Sequence, residues 1–275
     1  MTMTVGTGPF GHAPAGVWNR ETPEHKGLIY FEDFPRRVRA EFNGETVVDS
    51  RHAKLLHESG LLPILYFPAN EVRTDLFRPS EKNSHCPWKG DASYWSIDVN
   101  GRTAEDAVWE YQDPNPDAPP IKGYFSFYWN KMDRWLEEDE ELHGHVRDPY
   151  HRVDVLESSR HVKVSLDGVV LAETKRPKAL FETGLPTRWY IPPEDVNLDL
   201  LAHSDTRTTC AYKGQASTLS VKANGGVEKD LVWTYADPHR DVDRIRGHLC
   251  FYNEFVDIEV DGEPQERPVT PFSKR

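Results

Sequence analysis

The chain has 275 residues, and its 33 Lys and Arg against 45 Asp and Glu leave a formal charge of −12. Such a surplus of negative charge repels a phosphate backbone or an anionic bilayer, which argues against nucleic acid and membrane as partners. No apolar run approaches the roughly 18 residues of a spanning helix, the start "MTMTVGTGPFGHAPAG" lacks the apolar core of a secretion signal, and Cys86, Cys210 and Cys250 form no C-x-x-C pair, so a cytoplasmic globular protein with free thiols is expected rather than a disulfide scaffold.

Residues 1–36 read as an N-terminal arm. Gly6, Gly8 and Gly11 spell G-x-G-x-x-G there, but no strand precedes them and Pro9 opposes the helix a dinucleotide site needs. From residue 37 the apolar pattern has period two, in short segments bounded by Gly, Pro, Asn-Gly or Asp-Gly, which is the signature of β-structure. "VRAEFNGETVVDS" predicts a hairpin turning at Asn43-Gly44. A short helix is expected at Lys54–Glu58, and Glu58, followed by Ser59 and Gly60, serves either as a general acid or base or as a turn cap.

Next comes "HCPWKGDASYW", residues 85–95. Pro87 and Gly90 suit a turn entering a strand, which puts Cys86 and Lys89 at a rim. Lys89 either points its ammonium at an anionic group or is a surface lysine beside a turn glycine. Cys86 is by default a buried, inert thiol; the alternative is a nucleophile whose pKa the Lys89 amine lowers across the turn. Strand alternation then sorts Ser93, Trp95, Ile97 and Val99 onto a core face and Ala92, Tyr94, Ser96 and Asp98 onto the other. Trp109 and Tyr111 share one face and either fill the core or line a cleft. In "GYFSFY" Phe125 and Phe127 face the core, while Tyr124, Ser126 and Tyr128 face away.

Residues 143–159 read as a polar linker. Its His143, His145, Asp148, His151 and Asp154 have metal-ligand chemistry but no recognised spacing, so no metal site is assigned. Residues 160–275 then repeat residues 37–142 at a constant offset of 124 without an insertion: Glu58 returns as Glu182, Tyr66 as Tyr190, Lys89 as Lys213, Trp109 as Trp233, Tyr111 as Tyr235 and Tyr128 as Tyr252. Two copies predict two similar β-domains packed as an internal pseudo-dimer.

The repeated marks are "LYFPANEV" and "WYIPPEDV", "CPWKGDASYW" and "CAYKGQAS", "WEYQDP" and "WTYADP", "GYFSFY" and "GHLCFY". With them residues 36–262 resemble the tandem form of the domain of unknown function 427 family. The resemblance implies a mainly β fold of the tent type with short helices, similar in topology to proteins that hold small molecules in a cleft lined by aromatics. Relatives of that topology carry two C-x-x-C zinc pairs, and this chain has none. One residue that the family pattern favours is Arg188 in the second copy but Ile64 in the first.

These readings lead to a binder of a small polar or anionic organic molecule. Lys89, Tyr66, Trp109, Tyr111 and Tyr128 furnish the first cleft, and Lys213, Arg188, Tyr190, Trp233, Tyr235 and Tyr252 the second. If the chain is an enzyme, Cys86, Lys89 and Glu58 form the catalytic group of a small-molecule transferase or hydrolase. The competing class is a non-catalytic protein-interaction module. A nucleotidyltransferase-like enzyme is weaker still, since no Gly-rich phosphate cradle with paired aspartates is present. No cofactor is implied, and nothing in the sequence sets the oligomeric state.

Overall fold

A computed structural model describes residues 27–223 and 225–273, with residues 8, 10, 11, 16, 17 and 19. Gly6 and most of the expected N-terminal arm lie outside the described residues. Two compact units meet in the chain at Asp148 and Pro149.

The first unit contains β1 (Ile29–Asp33), β2 (Val38–Phe42), β3 (Glu45–Ser50), β4 (Lys54–Glu58), β5 (Ile64–Pro68), β6 (Phe77–Cys86), β7 (Gly90–Val99), β8 (Arg102–Glu110), β9 (Tyr124–Phe127), β10 (Arg134–Glu137) and β11 (Glu140–Leu142). They form a large antiparallel sheet in the order β1-β4-β5-β9-β8-β7-β6 and a small one in the order β11-β10-β2-β3. The second unit repeats this plan. Its strands are β12 (Val153–Glu157), β13 (Val162–Leu166), β14 (Val169–Thr174), β15 (Lys178–Glu182), β16 (Arg188–Ile191), β17 (Leu201–Cys210), β18 (Gly214–Ala223), β19 (Gly226–Thr234), β20 (Leu249–Phe251), β21 (Asp257–Val260) and β22 (Glu263–Gln265). The large sheet runs β12-β15-β16-β20-β19-β18-β17 and the small one β14-β13-β21-β22.

Local sequence explains the turns. Asn43-Gly44 and Asp167-Gly168 take positive φ at both positions (47° and 84°, 49° and 81°). That geometry matches the twist of the flanking strands in a two-residue hairpin. Asp106 and Asp230 also sit at positive φ, 51° and 53°, where the β7/β8 and β18/β19 registers slip. Asp tolerates the left-handed region that a bulge requires, and the hydroxyls of Ser96 and Ser220 accept the two aspartate N–H groups.

Two expectations change. Lys54–Glu58 is the strand β4, between β1 and β5, not a helix. Leu55 and Leu56 point to opposite faces and both are fully buried, so the segment shows no period-two alternation and resembles a short helix. Among the described residues the helical segments are short 3-10 turns such as Ala69–Glu71 and Pro193–Asp195. The first strand of each large sheet also falls upstream of the expected domain starts, β1 before residue 37 and β12 within 143–159.

In each unit the small sheet covers one face of the large sheet. Val38, Ala40 and Phe42 pack there with Leu55, Phe67, Ile97, Val108, Phe127 and Trp135. The opposite face is also buried, by Leu56, Tyr66, Ala92, Tyr94, Tyr111 and Ile121 in the first unit and by Leu180, Tyr190, Ala216, Trp233, Tyr235 and Cys250 in the second. Ala92 and Tyr94, read as facing away from the core, are therefore buried against a second cluster. Among the described residues no helix is long and apolar enough to cross a membrane.

Candidate functional site

The second face of each large sheet gathers the recurring aromatics: Tyr66 on β5 and Trp109 on β8 flank β9, Tyr128 directly follows β9, and all three pack in one cluster. In the first unit the Trp109 ring lies 4.8 Å from that of Tyr128. The second unit repeats the set, with Trp233 Nε1 donating to Tyr190 Oη at 2.9 Å and the Trp233 ring 4.5 Å from Tyr252. Burial pushes the phenols of Tyr66, Tyr111, Tyr190 and Tyr235 well above the usual tyrosine range. Burial and a hydrogen bond with Tyr94 push Tyr128 up to about 12, so these rings act as neutral, amphipathic walls.

Lys89 and Lys213 are buried, 6% and 8% exposed. Each ammonium is bonded to the recurring carboxylate, Lys89 to Glu58 and Lys213 to Glu182. Residues read separately, as an anion holder and an acid or base, are one ion pair at the end of the large sheet. In the second unit His151 joins the pair: its Nε2 is 3.0 Å from Glu182 Oε1, and its ring stacks on Tyr212 at 3.9 Å. Desolvation alone would raise Glu182, but His151 and Lys213 outweigh it and hold the carboxyl down to about 2. The glycine after each lysine has φ near 100°, and a Cβ there would lie 3.2 Å from the Asn115 backbone N or 3.3 Å from the Asp237 carbonyl. The closely approaching group is thus the protein's own backbone, and the Asn115 and His239 N–H groups bond the Lys89 and Lys213 carbonyls.

Cys86 packs at the edge of the aromatic cluster, while the Lys89 ammonium is directed to Glu58. Cys250, in the place of Ser126, is fully buried, and desolvation pushes its thiol up to about 12. The linker histidines and aspartates do not converge: His151 turns to Glu182, whereas Asp148 is buried with its Oδ2 3.9 Å from His57 Nδ1.

Arg188 marks the difference between the units. It is 4% exposed, forms a bidentate pair with the buried Glu254, and places its guanidinium 5.5 Å from the Trp233 ring and 6.0 Å from Tyr252. Ile64 and Asn130 stand at these positions in the first unit. Glu254 also accepts the Thr270 hydroxyl, which ties down the segment carrying Phe272, whose ring lies 6.3 Å from Tyr252.

Against this anchored ring opens a pocket of about 400 Å³, lined by Thr206, Thr208, Thr218, Lys229, Asp230, Tyr252, Pro271 and Phe272. Of the residues singled out from the sequence only Tyr252 lines it directly; Trp233 and Arg188 support that ring from behind. The threonines escaped notice because they do not recur at the 124-residue offset, and Glu254 because its counterpart is Asn130; the Arg188 and Ile64 departure was the available clue.

No curated protein matches the chain. The family described as "Domain of unknown function (DUF427)" matches it twice, over residues 30–138 and 154–262, one match in each of the two units. With both matches covering most of its length, the chain belongs to the DUF427 family as a tandem member.

Proposed function

We propose that the protein binds a small polar organic molecule, and that it does so in the pocket beside Tyr252. The observation that carries this reading is the mixed lining: the Tyr252 and Phe272 rings together with three threonines, Asp230 and Lys229. A concave site with an aromatic wall and a few convergent polar groups suits a ligand with both apolar and hydrogen-bonding surface. Its walls are pre-set, since Trp233 and the Arg188–Glu254 pair hold the Tyr252 ring before any ligand arrives, and pre-organisation lowers the cost of binding. The geometry favours binding over thiol chemistry, because the lysine meant to activate Cys86 donates to Glu58.

A thermal-shift screen of polar metabolites tests the reading. A site ligand at a hundredfold its dissociation constant adds about 2.7 kcal/mol of stability. Hits are expected with the wild-type protein and are expected to vanish in Tyr252→Ala. An empty screen rejects the reading and favours an interaction module.

A further inference from the structure

The pocket and its counterpart in the first unit differ in one informative way. At the 124-residue offset Lys82 corresponds to Thr206, Tyr94 to Thr218, Asp106 to Asp230 and Tyr128 to Tyr252. In the first unit the Tyr94 and Tyr128 rings stack in parallel 6.4 Å apart. The Lys82 ammonium lies over both, 4.4 Å from the Tyr94 centroid and 5.3 Å from that of Tyr128, with its Nζ 3.9 Å from Asp106 Oδ2. Two rings and a carboxylate around an ammonium make a cation box, and here the chain supplies the cation itself.

The second unit keeps the box and changes what fills it. Asp230 retains the left-handed backbone that aims its carboxylate, which accepts the Thr206 and Thr218 hydroxyls at 3.0 and 2.8 Å. Tyr252 remains, and Phe272 replaces the ring lost when Tyr94 became Thr218. Threonine at 206 removes the ammonium and its four-carbon stem, and the space is the pocket of about 400 Å³. On the rim Lys229 stands where the first unit has Glu105, which is paired there with Arg78, so the pocket's margin carries a cationic side chain. A bare cation would be repelled there, whereas a carboxylate at the other end of the same molecule would be attracted.

We propose that the pocket takes an organic zwitterion, a primary ammonium joined by a short chain to a carboxylate. The ammonium lies where Lys82 Nζ lies in the first unit, against Tyr252, Phe272 and Asp230, and the carboxylate faces Lys229. This rests on the reading that the pocket beside Tyr252 binds a small polar molecule.

Calorimetric titration of the full chain with 6-aminohexanoate, hexylamine and hexanoate separates the two ends of the ligand. The zwitterion is expected to bind tightest and hexanoate weakest. Thr206→Lys, which restores the first unit's own cation, is expected to weaken 6-aminohexanoate at least about tenfold while leaving the melting temperature close to wild type. Phe272→Ala, at an exposed position, is expected to weaken it too and serves if the lysine variant fails to fold. Hexanoate binding as tightly as 6-aminohexanoate, or unchanged affinity in both variants, overturns the proposal. If none of the three compounds binds while the metabolite screen yields Tyr252-dependent hits, the zwitterion is wrong and the pocket stands; if the screen is empty as well, both fall.

Discussion

Glu182 shows how much of the site depends on single side chains. Its folded value near 2 lies below the ordinary 4.5 because His151 and Lys213 outweigh desolvation. A depressed carboxyl contributes stability that is fully present above the unfolded value and is lost as pH falls toward the folded one. Between pH 4.5 and 2 the wild-type protein is therefore expected to lose on the order of 2–3 kcal/mol that Glu182→Gln has already lost at pH 6. Denaturant titrations at pH 6, 4 and 3 check this, and parallel curves for the two proteins would contradict it. The sequence displayed both members of the ion pair, since Glu and Lys each recur with the same separation, but not that they meet. Strand alternation describes which face a residue takes, not which turn end folds over which strand.

Among the elements, the turn between β6 and β7 is tightly constrained. Gly90 has φ of 100°, with the Asn115 backbone nitrogen 3.2 Å from where a Cβ would stand. Gly90→Ala is expected to cost about 1–2 kcal/mol from the left-handed backbone alone, with more from displacing Asn115. Equilibrium unfolding measures it, and a neutral result would mean the turn relaxes. Strand content was readable wherever one face is apolar and the other polar, as in β2 and β9. It was not readable in β4, where Leu55 and Leu56 are buried on opposite faces. Nor was it in β1 and β12, whose mixed burial gives no clean period. The glycines kept beside Lys89 and Lys213 were legible as special, and their cause, a backbone passing close by, became visible only in three dimensions.

At the scale of the whole molecule, two halves share one plan and differ by paired exchanges. Arg188 with Glu254 replaces Ile64 with Asn130, and His151 against Tyr212 replaces Gly27, where a Cβ would collide with Trp88. Removing one partner of a buried ion pair costs far more than replacing both. Arg188→Ile is expected to lose about 3 kcal/mol or more, by leaving the buried Glu254 carboxylate without its counter-charge, and adding Glu254→Asn is expected to recover much of it. Thermal denaturation of the two single variants and the double variant closes the cycle, and simple additivity would show that the pair is not coupled. The duplication and its register were plain in the sequence because recurrence at one offset needs no structure. The exchanges were half visible, Arg188 standing out against Ile64 while its acidic partner did not.

That coupling limits how segments can be traded between the halves. A transplanted segment that carries position 64 or 188 without its partner at 130 or 254 strands a charge in the interior. A chimaera of the two halves therefore has to exchange both positions together.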